Sequence, residues 1–156
     1  MIKLNTYLIL AIFISLVSCQ QNNVESYGLR LKPGMDLKQE IAKFVKTKQL
    51  QSASISTCVG SLRELTIRPA NQQTLLHLKG HYEIVSLTGT FADKGENNHI
   101  HISVSDSTGY TIGGHLVDGN IIYTTAEIVL LNNKSINFTR VIDPETTYYE
   151  LKVEEN

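Results

Sequence analysis

The period of the hydrophobic pattern changes twice along this chain. From Tyr7 to Val17 it is apolar and uncharged, with Lys3 before it. That run is too short for a spanning helix, which needs about 20 apolar residues, and has the length and flanks of a secretory leader. Gln20 to Ser26 is polar and reads as a tether. Pro33-Gly34 marks a turn. Asp36 follows, with Gln39 three residues on, the spacing of a helix N-cap pair. Leu37, Ile41, Phe44 and Val45 then share one helical face, which predicts an amphipathic helix over 37–48.

Beyond the helix the period falls to two. Ala53, Ile55, Thr57 and Val59 alternate with smaller or polar residues, and Gly60 reads as the stop. Leu62, Leu65 and Ile67 make a short strand before Pro69. Tyr82 to Thr88 alternates and ends at Gly89. Ile100–Val104, Tyr110–Ile112, Ile121–Leu131, Ile136–Ile142 and Tyr148–Val153 complete the set. One helix and about seven strands in hairpin-like order predict an α+β domain, with a mainly antiparallel sheet and the helix packed on it. The length suits one domain, over residues 27–153.

The N-terminal pattern changes the context of that domain. Leu16-Val17-Ser18-Cys19 resembles the lipobox of bacterial lipoproteins. Residues 1–18 are then a signal peptide, Cys19 carries lipid, and 19–26 is the tether. A buried strand ending in cysteine is the plainer alternative. The resemblance implies a lipid-anchored protein of the cell envelope that faces the periplasm, with the choice of membrane open. The whole chain carries a formal charge of −1, and loss of Lys3 with the leader makes it −2. No block of Lys or Arg occurs, so no nucleic-acid partner is expected. Lipidation of Cys19 leaves Cys58 alone, without an intrachain disulfide, and a buried inert thiol is the expected state.

Chemistry concentrates in one segment. His99 and His101 are two apart on a strand, so both imidazoles project from one face. The register of the next hairpin decides where His115 falls. Asp106-Ser107-Thr108-Gly109-Tyr110 suits a three-residue loop with Gly109 in the left-handed position. Paired numbers then sum to 216, which puts His101 opposite His115 on the same face. A two-residue loop would send His115 to the other side. Three convergent imidazoles suit zinc or a similar divalent metal, with the fourth position left for water or a small-molecule ligand. The plain alternative is histidines that only hydrogen-bond across the hairpin. His77, between Leu76 and Leu78, suits a surface strand, and His81 before Tyr82-Glu83 carries no assigned role. Glu83 is either a solvent-facing acid or a partner or general base beside the metal.

Several segments together resemble one family. They are Arg30-Leu31-Lys32-Pro33-Gly34, the run from Gly80 to Gly89, His99-Ile100-His101 with Gly113-Gly114-His115-Leu116, Phe138-Thr139-Arg140 and Tyr149-Glu150-Leu151. The chain resembles the PPC domain, shared by plants and prokaryotes, over about Tyr27 to Val153. The resemblance implies an α+β fold, a homotrimer and, in prokaryotic relatives, a metal held at the positions of His99, His101 and His115. Plant members carry an AT-hook with an Arg-Gly-Arg-Pro core. This chain has no such core, so a DNA role is not carried over.

Three functions follow as expectations. One is a membrane-anchored trimeric metal-binding protein. The second is a metal-dependent hydrolase or lyase acting on a small molecule, with Glu83 as candidate base. The third, a DNA-associated protein, predicts binding that weakens steeply with salt. No nucleophile elbow or phosphate loop accompanies the histidines.

Overall fold

Asp36 sets the start of the helix and ties it to a distant loop. The computed structural model describes residues 23–156, so the leader and Cys19 lie outside the described residues. Helix α1, Leu37–Lys48, covers the residues its periodicity predicts. One carboxylate oxygen of Asp36 accepts the Gln39 N–H at 3.0 Å and caps the first turn. The other accepts the N–H groups of Gly119 and Asn120 at 2.6 and 3.3 Å. Leu37, Ile41 and Val45 are buried against the sheet, and Gln49 ends the helix in the left-handed conformation. Asp36→Ala removes a cap and orphans two loop donors. It is expected to cost about 2–3 kcal/mol in urea denaturation, with Asp36→Asn recovering part of the loss.

The strands are β1 (Val24–Leu31), β2 (Ala53–Arg68), β3 (Leu76–Ala92), β4 (Asn97–Ser105), β5 (Thr111–Leu116), β6 (Ile121–Asn133), β7 (Ile136–Ile142) and β8 (Tyr149–Glu155), with a 3-10 turn at Asp93–Gly95. The first six form one sheet in the order β1-β6-β2-β3-β4-β5, and β7 and β8 form a separate hairpin. Every pairing is antiparallel. The fold is therefore α+β with a mainly antiparallel sheet, as the patterning predicts. Leu62, Leu65, Phe91, Ile100 and Ile102 fill the core with the helix residues.

Three features differ from the sequence reading. The first strand begins at Val24, inside the expected tether, and pairs with the end of β6 from Val24↔Asn133 onward. Residues 53–68 are one strand of 16 residues with irregular register, not two short ones. Gly60 does not stop it, and Gly89 does not stop β3. Both sit where a neighbouring strand comes too close for a side chain. A Cβ on Gly60 would lie 2.3 Å from the Thr125 carbonyl oxygen, and one on Gly89 would lie 2.3 Å from that of His99.

The long β2 also curls. Its middle pairs with β3 and β6, while its last residues reach β5 through Ile67↔Leu116 and Arg68↔His115. Strands β2, β3, β4 and β5 thus close into a ring, and this places the site.

Candidate metal centre

Strand β4 alternates strictly. Ile100, Ile102 and Val104 point into the core, which leaves His99 and His101 on the outer face. The hairpin after it has the predicted loop. The Asp106 N–H donates to the Tyr110 carbonyl at 3.0 Å, the Gly109 N–H donates to the Asp106 carbonyl at 3.0 Å, and Gly109 has φ +82°. The Asp106 carboxylate accepts the Thr108 hydroxyl and N–H and the Tyr110 N–H at 2.6, 2.8 and 3.1 Å. These bonds, led by the Thr108 hydroxyl, hold its carboxyl below the usual range. The resulting register pairs His101 with His115.

The outer face then carries one row across four strands, Thr88, His101, His115 and Arg68. His99 sits two residues from His101 on β4. The Nε2 atoms of His99 and His101 are 3.2 Å apart, and one donor from each of the three imidazoles falls within 4.8 Å of the others. A tetrahedral ion with Zn–N bonds of about 2.0–2.1 Å holds its nitrogens roughly 3.3 Å apart. The first pair already has that spacing, and small ring rotations bring in the third. The Nδ1 of His115 is buried and has no hydrogen-bond partner. The donor set therefore fits a divalent metal.

The electrostatics keep the His99 and His115 rings ready to ligate. Burial, then Arg68 and the neighbouring histidines, pushes the His115 imidazole down to about 4. Burial and then His101 lower His99, with Arg140 and Arg68 contributing. A neutral imidazole is the form that binds metal. The same shift makes metal-free stability depend on pH. Below about pH 6.5 the unfolded chain takes a proton that folded His115 refuses until about pH 4. Stability should therefore fall with decreasing pH across that window. Denaturation curves of His115→Asn, which lacks the titrating ring, should lose that part of the slope.

Glu83 does not join the cluster. It is exposed on β3 and pairs with Ser105 and Ser61. Ser105 lies four residues along β4 from His101, about 13 Å at the rise of a strand. His77 bonds Thr66, with its Nδ1 2.8 Å from the hydroxyl, and His81 stacks on Tyr123 with centroids 4.1 Å apart. Burial pushes the Cys58 thiol up to about 12, so it stays protonated. Sequence reasoning missed three charged residues that do border the site: Arg68, Arg140 and Glu150. Arg68 comes from the curled end of β2, and the other two from the β7–β8 hairpin. No local pattern signals contacts made across such chain separations.

Known proteins share this fold. A hypothetical protein of Salmonella cholerae-suis is 34% identical and superposes with a TM-score of 0.82, covering 85% of this chain and 94% of its own. The metal-containing protein AF0104 of Archaeoglobus fulgidus is 26% identical, with a TM-score of 0.70, covering 81% and 91%. A plant- and prokaryote-conserved protein of Pyrococcus horikoshii is 29% identical, with a TM-score of 0.67, covering 82% and 93%. The bifunctional protein GlmU of Synechococcus sp. (strain JA-3-3Ab) is 44% identical over 128 residues, which are 82% of this chain. The chain spans only about a fifth of the length of that relative. The profile of the Plants and Prokaryotes Conserved domain matches residues 19–134, from ahead of β1 through the histidine strands to the end of β6. With the fold, the histidine row and this match in agreement, the chain belongs to the Plants and Prokaryotes Conserved domain family.

Proposed function

We propose that this is a lipid-anchored, trimeric protein of the cell envelope that holds a divalent metal, zinc foremost, on His99, His101 and His115. The observation that carries the reading is the convergence of three imidazole donors within 4.8 Å on a rigid sheet. An archaeal protein of the same fold is metal-containing, which supports it. Three neutral nitrogen ligands suit a borderline cation and leave room for an exogenous ligand. Membrane attachment rests on the Leu16-Val17-Ser18-Cys19 segment, and one lipid per chain would give a trimer several anchors. Self-association is supported by Val59, Val85 and Tyr123, large apolar groups left exposed on the main sheet.

The test is metal content by elemental analysis of the chain from Gln20 onward, purified without chelator, beside His101→Ala. About one ion per chain, absent from the variant, establishes the site. No metal in the wild type after zinc addition sinks the reading. A small-molecule hydrolase or lyase is a second reading, favoured by the cleft beside the histidines and the Glu150 carboxylate in its wall.

A further inference from the structure

A cleft of about 660 Å³ opens beside His99 and His115, a size in the range of small-molecule sites. One wall is the end of β2 with Arg68. The β7–β8 hairpin also lines it and brings Arg140, Tyr148, Tyr149 and Glu150. This hairpin lies beyond residue 134, where the family match ends.

The charges in this cleft are unbalanced. Arg68 is exposed and has no ion pair or hydrogen bond among the described residues. Cross-strand pairing to His115 holds its Cα beside the histidine row. Arg140 is fixed in place. It donates to the Tyr149 carbonyl at 3.0 Å and contacts the Thr90 hydroxyl at 3.5 Å, while its Nε is buried without an acceptor. Two guanidiniums thus face one carboxylate, Glu150, which already accepts the Thr146 hydroxyl at 3.2 Å. Three neutral imidazoles would bring in a divalent ion with its charge uncompensated, because the cluster contains no carboxylate ligand. A site this positive, on a chain of net charge −1, attracts an anion from outside.

We infer that the cleft binds a small molecule bearing an oxyanion, a carboxylate or a phosphate, gripped by Arg68 beside the metal, with the charge of Arg140 reinforcing the hold. Guanidinium matches both oxyanions through charge-assisted bonds. The exposed rings of Tyr148 and Tyr149 supply flat apolar walls for the body of the ligand. The inference deepens the metal reading and rests on it for one of the two attachments; Arg68 supplies the other.

The test titrates the full-length chain, in mild detergent, with malonate and with inorganic phosphate by calorimetry, metal-free and zinc-loaded. Cobalt-substituted protein is followed in parallel by its visible spectrum. Wild type should bind at least one of the two anions, with a change in the cobalt spectrum. Arg68→Gln should weaken that binding by about ten- to a hundredfold at unchanged metal content. Arg140→Lys, which keeps the charge, should weaken it less. Preference for malonate identifies a carboxylate ligand, and preference for phosphate a phosphorylated one. Metal bound with no anion binding, or anion binding equal in Arg68→Gln, overturns the inference and leaves the metal site intact. Anion binding that is lost in Arg68→Gln, in a chain that takes up no zinc, keeps the arginine grip and overturns the metal reading. Neither metal nor anion overturns both.

Discussion

Zinc added to the metal-free chain is expected to raise its unfolding midpoint by roughly 10 °C at a hundredfold excess over the dissociation constant. A ligand that binds only the folded state stabilises by about 2.7 kcal/mol at that excess, and a domain of this size shifts by a few degrees per kcal/mol. The same addition to His101→Ala should produce almost no shift. His101 is the right residue to change because it lies exposed on the outer face of β4. Its removal opens no core cavity, so the metal-free variant should melt close to the metal-free wild type. His115 is half-buried, and its truncation would mix packing with ligation. A zinc shift that survives in His101→Ala would place the metal elsewhere.

Gly89→Val should be among the most damaging single substitutions in the sheet. Even a Cβ there would lie 2.3 Å from the His99 carbonyl oxygen, 2.7 Å from the Ile100 Cα and 2.9 Å from the Ile100 Cγ1. Two of these three are backbone atoms, which no rotamer change can move aside. The strands must separate or the register must slip, at a cost of about 3 kcal/mol or more. Relief by separation would displace His99 itself, so zinc binding should fall along with stability. Gly28→Ala is the control. It also lies in a strand, but nothing stands within 4 Å of the added atom. It should be neutral, or stabilising by a few tenths of a kcal/mol through the unfolded chain. Equal losses in both variants would mean that β-propensity, not close approach, explains these glycines.

The two glycine types show where sequence reading reaches its limit. Gly60 and Gly89 look like punctuation in the alternating runs around them, and they were expected to end strands. Their reason lies on the partner strand, at Thr125 and His99, which a local window cannot contain. Gly109 is the opposite case. The positive φ it needs belongs to the hairpin loop itself, so five consecutive residues sufficed to set the register and put His101 opposite His115. The helix was legible for the same reason, since its cap and its apolar face are local. Strand β1 was not, because two of the three residues Val24–Ser26 are polar and the segment takes its order from β6. Glu83 was a reasonable candidate by composition, yet the sheet carries it down the strand and brings Glu150 to the site instead.

The ladder between the end of β2 and β5 has a kinetic consequence. At His115 the backbone is held by β4 on one side and by Arg68 of β2 on the other. The conformational entropy of fixing that strand is spent during folding, ahead of any encounter with an ion. The histidine row is therefore a preset receptor. Metal capture and release would need only ring rotations and exchange of the ion's hydration water. The same three residues on an unclamped hairpin would link every exchange event to the reforming of a strand pair, a step of microseconds or longer.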